Sequence, residues 1–269
     1  MQRYLYLIGW LLIGVCGCSE ADKPAVEMTE GPEVIAAVFA HPDDETTVAP
    51  ILAKYAAMGT KVHLITTTDG RYGVTDHAKI PAGDSLVAVR HEELICSAEA
   101  LGLEPVIQLD GKDMLGNNES MDAYFVELIK MENSLERVLD SLRPDVVITF
   151  GPEGDSGHPD HRLTGDVTTE LLLSGKLGFL PELYYFSYTP KQAERYGDWN
   201  LNYTDERYLD TRITFGEDDA EAYYNSIRCH VSQFSPQAME NWIAVERANT
   251  DKRIFLRRVV LSGEIREGF

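Results

Sequence analysis

Three short, largely apolar stretches constrain this chain more than any other feature. They are Val34–Ala40 (VIAAVFA), Lys61–Thr67 (KVHLITT) and Asp145–Phe150 (DVVITF). Runs of this length and β-branched content are what strands look like when a parallel sheet buries both their faces. One-faced helices separate them. Thr46–Met58 places Val48, Ile51, Leu52 and Tyr55 at i, i+3, i+4 and i+7, with Gly59 as its stop. Asp84 is placed to cap a helix over Ser85–Leu101 that Gly102 ends. Phe125, Leu128, Ile129, Leu135, Val138, Leu139 and Leu142 mark a long helix that Arg143-Pro144 terminates. Pro105–Leu109 and Glu182–Tyr188 read as further strands and Arg162–Leu173 as a helix. Glu217–Cys229 and Pro236–Glu246 follow as helices, and Arg253–Leu261 as a closing strand. Alternating strands and helices predict an α/β fold, a mostly parallel sheet flanked by helices with right-handed crossovers.

Charge narrows the function classes. The 269 residues hold 24 Lys+Arg and 44 Asp+Glu, a formal net charge of −20. That balance argues against nucleic acid as a partner, because a basic footprint is what neutralises phosphates. It also argues against adhesion to an anionic bilayer through surface charge.

The first 17 residues read as an export signal. After Arg3 comes YLYLIGWLLIGVC, about the length of a secretory apolar region and short for a membrane span. Gly17-Cys18-Ser19 resembles a bacterial lipobox, with Cys18 the lipidated residue. The expected product is an exported lipoprotein, anchored by lipid on Cys18 and facing the periplasm or the cell surface. Residues 18–33 are polar, acidic and punctuated by Pro and Gly, a tether spanning roughly 20 Å. A single domain over 34–269 follows. Of the remaining cysteines, Cys96 and Cys229 lie in helical patterns, and two buried free thiols are expected rather than a bridge, although export permits one.

Two loops carry the chemistry. Ala40-His41-Pro42-Asp43-Asp44-Glu45 follows the first buried strand, and Gly157-His158-Pro159-Asp160-His161 follows the Asp145–Phe150 strand. In an open α/β sheet ligands bind beyond the carboxyl ends of the strands. Both clusters therefore serve one crevice if these strands are near neighbours. A catalytic zinc takes three protein ligands and leaves one position open. His41, Asp44 and His161 supply two imidazoles and a carboxylate; the same set also suits iron(II). Asp43, beside a ligand, is placed to take the proton of an attacking water. His158 is placed to stabilise the oxyanion or protonate the leaving amine. Asp160 can fix a histidine tautomer. Such a site suits hydrolysis of an unactivated amide.

These two loops resemble those of the LmbE/PIG-L family of zinc-dependent N-acetylglucosaminyl deacetylases. Thr68-Asp69-Gly70, Arg90–Glu93 with Leu101-Gly102, and His230-Val231-Ser232-Gln233 resemble further family segments. The resemblance implies a Rossmann-like fold without a nucleotide. It also implies zinc on His41, Asp44 and His161, Asp43 as base, His158 as acid and oxyanion stabiliser, and Asp160 as orienting residue. Where many members carry Glu after the T-x-G glycine, this chain has Arg71, a cation that would hold an acidic or phosphorylated substrate group if it faces the crevice. His230 is either a site-lining residue or a hydrogen-bonded structural histidine. Tyr184, Tyr185, Phe186 and Tyr188 read as sheet packing, with a sugar-stacking platform among them as the alternative. The expected activity is removal of an acyl group, acetyl foremost, from the amide nitrogen of an N-acetylated amino sugar or glycoconjugate. The rivals are a non-catalytic glycan-binding lipoprotein and an amide hydrolase acting on a non-sugar substrate.

Overall fold

The computed structural model describes residues 31–113 and 120–261. The expected signal peptide, the lipidated Cys18 and most of the tether lie outside the described residues. No helix among those described is long and apolar enough to cross a membrane.

Seven strands form one sheet in the order β3-β2-β1-β4-β5-β7-β6. The strands are β1 (Val34–Phe39), β2 (Lys61–Thr68), β3 (Ile107–Gly111), β4 (Val146–Phe150), β5 (Glu182–Phe186), β6 (Thr211–Thr214) and β7 (Arg253–Val259). The first five in the sheet order are parallel. The closing strand β7 runs antiparallel to β5, and β6 antiparallel to β7. The helices are α1 (Ala49–Ala57), α2 (Asp84–Leu101), α3 (Met121–Leu142), α4 (Pro159–Leu173), α5 (Pro190–Tyr196), α6 (Glu217–Ile227) and α7 (Pro236–Ala248).

Strand alternation sorts the core into layers. Ile35, Ala37 and Phe39 point to one face and pack with Val48, Ile51, Leu52 and Leu94 from α1 and its lead-in and from α2. Ala36 and Val38 point to the other, against Met131, Leu135 and Leu139 of α3 and Val167 and Leu171 of α4. All five strand residues are buried, the cause of the nearly unbroken apolar run. Outside the first layer, Ala220, Tyr224 and Ile227 of α6 and Met239 and Ile243 of α7 pack against Ala49, Ala53 and Leu101 of α1 and α2.

The strand order positions the site. Chain order leaves β1 for β2 on one side and returns to β4 on the other, with Ile35 paired to Val146 and Ala37 to Ile148. The sheet therefore changes direction of growth between β1 and β4, and the loops leaving those two strands diverge over a crevice.

Most element ends fall within a few residues of the sequence expectation, and one shift bears on the site. Helix α4 begins at Pro159, three residues early, because proline suits the first helical position and His158 caps the turn, its Nδ1 accepting from the Asp160 amide at 3.2 Å. Asp160 and His161 thus stand on a helical first turn rather than a loop. The cysteines also differ: Cys96 and Cys229 form a disulfide with Cα atoms 5.7 Å apart. Cys96 occupies an exposed position of α2 rather than a buried one, which leaves its sulfur free to reach the chain segment after α6.

Candidate metal centre

The β1 loop turns on an unusual backbone. Asp43 has φ 115°, a region that costs a residue with a Cβ about 1–3 kcal/mol and persists only when its surroundings hold it. Three contacts do so. The Asp43 amide donates to Glu45 Oε2 at 3.0 Å, its carbonyl accepts from Thr46 Oγ1 at 2.6 Å, and its carboxylate meets Arg90 Nη2 at 3.1 Å. Arg90 also donates to the carbonyls of Pro42 and Gly70. The turn aims Asp44 inward, where its Oδ2 accepts from the amides of Ala40 (3.0 Å) and His41 (2.7 Å).

From the other side α4 brings His161 over the end of β4. Gly165 allows this approach: a Cβ there would lie 2.3 Å from the Phe150 carbonyl oxygen. The His161 ring stacks on Phe150 at 4.2 Å between centroids.

The three expected ligands face a common space. The Asp44 carboxylate lies between two imidazoles, Oδ1 3.2 Å from His161 Nε2 and Oδ2 3.5 Å from His41 Nδ1. The opposite ring nitrogens are held by acceptors. His41 Nε2 donates to Asp160 Oδ2 at 3.3 Å and His161 Nδ1 donates to the Gly154 carbonyl at 3.2 Å. With a metal ion in place of the proton facing Asp44, those bonds would fix the tautomer in which the other nitrogen of each ring is a ligand. The close-set donor groups differ from the expected triad. Among the described residues, donor atoms of His41, His158 and His161 lie within 4.8 Å of one another, as do those of His41, Asp113 and Asp160, and Asp44 belongs to neither group.

The electrostatics favour a cation. Burial lowers the His41 pKa, but the hydrogen bonds to Asp160 and Asp44 outweigh it and push it up to about 10. Burial would raise the Asp44 carboxyl, yet His161 and His41 hold it well below the usual carboxylate range. Two imidazoles and one carboxylate, buried in a field that favours positive charge, fit a divalent metal ion. His158 behaves differently: burial, then the charges of His41 and His161, bring it down to about 4. It is a neutral imidazole whose Nδ1 is an acceptor, so its proton sits on Nε2. Asp43 is raised by burial, against the pull of Arg90.

The cleft over this centre has a volume of about 340 Å³. Its acidic side holds Asp43, Asp44, Asp113 and Asp155, and Arg90 is the basic residue lining it, already paired with Asp43. Its opposite wall is aromatic. Trp199 stacks on Phe234 with centroids 5.8 Å apart and planes within 6°, and Trp242 and Tyr188 complete the wall. Tyr188 was marked in the sequence; the GDWN turn holding Trp199 carries no periodic signal, and Asp113 is an isolated acid after a short strand.

Two expected site residues lie elsewhere. Arg71 is held by Asp69, its Nε and Nη2 at 2.9 and 2.5 Å from Oδ2, with Asp84 at 3.7 Å, and it is outside the cleft lining. No cation from Arg71 therefore faces the crevice. His230 is fully buried behind the β1 loop, donating from Nε2 to Glu45 Oε1 at 2.7 Å, the hydrogen-bonded structural alternative.

The family profile described as "PIG-L: GlcNAc-PI de-N-acetylase" matches residues 36–172, the span from β1 to the end of α4 that contains both loops. The chain belongs to the PIG-L family. A PIG-L relative, the 1D-myo-inositol 2-acetamido-2-deoxy-alpha-D-glucopyranoside deacetylase of Mycolicibacterium smegmatis, is 30% identical over 214 residues, 69% of this chain and 71% of that one. The enzyme of the same name from Corynebacterium glutamicum is 36% identical over 148 residues, with about half of each chain covered. Among solved structures, N,N'-diacetylchitobiose deacetylase from Pyrococcus horikoshii superposes with a TM-score of 0.62 at 20% identity, covering 85% of this chain and 84% of that one. A zinc-inhibited form of teicoplanin deacetylase gives 0.62 at 15% identity, with 86% and 100% covered. At these identities the structural likeness establishes the PIG-L fold alone.

Proposed function

We propose that this PIG-L protein is a zinc-dependent N-deacetylase that hydrolyses the acetyl amide of an N-acetylated amino sugar. The observation that carries the reading is the Asp44 carboxylate set between His41 Nδ1 and His161 Nε2, with Asp43 and His158 at its flanks. The deacetylase names of the relatives support the same chemistry.

His41, Asp44 and His161 would hold the ion. When bound, it polarises the amide carbonyl and favours ionisation of water at neutral pH. Asp43 accepts the proton of the attacking water, its carboxylate oriented by Arg90. The Nε2–H of neutral His158 donates to the carbonyl oxygen as negative charge develops there. Asp160 fixes the His41 tautomer. The C–N bond breaks as the amine takes up a proton, for which Asp43, protonated in the first step, is a donor.

The cleft favours an uncharged sugar. Its acids repel phosphate and carboxylate groups, its arginine is already paired, and the Trp199 wall offers an apolar face to a pyranose ring. An exported lipoprotein remains the reading for its location, and the Cys96–Cys229 bridge supports it, since such bonds persist in oxidising compartments.

The test is acetate release by chelator-treated protein reloaded with zinc or iron(II). Substrates would be N-acetylglucosamine, N,N'-diacetylchitobiose and N-acetylglucosamine 6-phosphate. Zinc-dependent release, fastest from the neutral sugars, is expected. Saturable sugar binding without release under any metal would favour a glycan-binding protein. Release dependent on iron alone would reassign the metal.

A further inference from the structure

We propose that the Cys96–Cys229 disulfide is a positioning clamp for Asp43, acting through Glu45. The proposal rests on the reading of Asp43 as the base of a deacetylase.

The bridge joins α2 to the turn after α6 at the residues immediately before Ser97 and His230. Those two are the donors to one atom. Ser97 Oγ reaches Glu45 Oε1 at 2.5 Å and His230 Nε2 reaches the same oxygen at 2.7 Å. Ser97, His230 and Glu45 are all fully buried. The second Glu45 oxygen accepts the amide of Asp43, whose left-handed backbone requires an outside hold. One turn earlier on α2, Glu93 accepts from the Ser232 amide and hydroxyl at 2.6 and 2.7 Å, and Arg90 meets the Asp43 carboxylate. The crosslink thus seals the seam through which two chain segments, 133 residues apart in sequence, grip the base from behind. Parting that seam admits water to the buried Glu45–His230 pair and frees the Asp43 turn to relax. The cystine touches no reacting atom, so its effect is on position. Cys96 is exposed, which leaves the bond open to a soluble reductant.

The experiment uses the zinc-loaded full chain in three forms: oxidised, reduced by a water-soluble phosphine, and Cys96→Ser/Cys229→Ser. In reduction the phosphine becomes its oxide with oxygen from water, and the disulfide takes two electrons and two protons to give two thiols. All forms are assayed below their melting temperatures. Loss of the bridge should lower kcat for acetate release about tenfold, within the range that misplacement of a catalytic group by up to an ångström produces. KM and bound zinc should stay constant, and reoxidation should restore kcat. His230→Ala should be slow in both redox states and respond little to reduction, because the link to Glu45 is already cut. Amide exchange at Asp43 and the ring ¹⁵N signals of His230 give a readout independent of turnover, and both should move on reduction. A lower melting temperature with unchanged kcat, or unchanged exchange and ring signals, would overturn the clamp. If the oxidised protein releases acetate from no substrate, the deacetylase reading fails, while exchange at Asp43 still decides whether the bridge holds the loop.

Discussion

As the proposed base, Asp43 would have to meet two demands that conflict: a carboxylate at the reacting centre and a backbone that glycine adopts more readily. Replacing it separates them. Asp43→Ala and Asp43→Gly should both keep the metal and lose nearly all turnover. Glycine should nevertheless be the more stable of the two by about 1 kcal/mol, since φ 115° strains alanine alone. Urea unfolding of the two variants measures this, and equal midpoints would mean that the turn stores no strain. On the opposite wall, Trp199→Ala should raise KM for a disaccharide several-fold with kcat retained, reflecting about 1 kcal/mol of lost stacking; an unaltered KM would remove Trp199 from the sugar site. Residues that act within a few positions of one another, as His41 to Asp44 do, could be read directly from the chain. Arg90 could be read as a buttress of the metal loop or as an ion-pair partner of Glu93, and it holds the loop through Asp43. Glu45 and Trp199 could not be given their roles, because each depends on a partner brought from far along the sequence, His230 and Phe234.

At the level of elements, α4 is the part that must arrive in the right place. Its contact with β4 is so close that Gly165→Ala puts a methyl group against the Phe150 carbonyl. Overpacking of this kind costs about 1–3 kcal/mol. Because α4 carries Asp160 and His161, the same change should weaken zinc binding as well as lower the melting temperature; intact zinc affinity in a destabilised variant would argue that the helix adjusts elsewhere. Of the five parallel strands, β1, β2 and β4 were legible as largely apolar runs because burial on both faces leaves that mark. β6 was not, since it is four residues long at the sheet edge with alternating exposure. The reversed direction of β7 was also hidden, as a strand's composition does not reveal which way it runs. The disulfide is not legible because a cysteine inside a helical pattern reads as buried unless the segment approaching it is known; Cys96 is exposed and meets Cys229 from the turn after α6.

For the whole molecule, a metal held as proposed by His41, Asp44 and His161 would be a structural tie as well as a reagent, joining the β1 loop to α4 across the crevice. A ligand bound only by the folded state adds about 2.7 kcal/mol at a concentration a hundredfold above its Kd. In a chain of this size that is a rise of roughly 5–10 °C in melting temperature on adding zinc. His41→Ala should show no such rise in a thermal scan; a full shift would exclude His41 from the ligand set. A further consequence comes from the wide separation of the two loops proposed to hold the ion. With His41 and Asp44 in one and His161 in the other, loading would have to wait until both parts of the chain have come together. On the proposed export of the chain, that moment would fall on the far side of the membrane, and the ion acquired would be decided by the surroundings in which folding finishes rather than by the cytosolic metal pool.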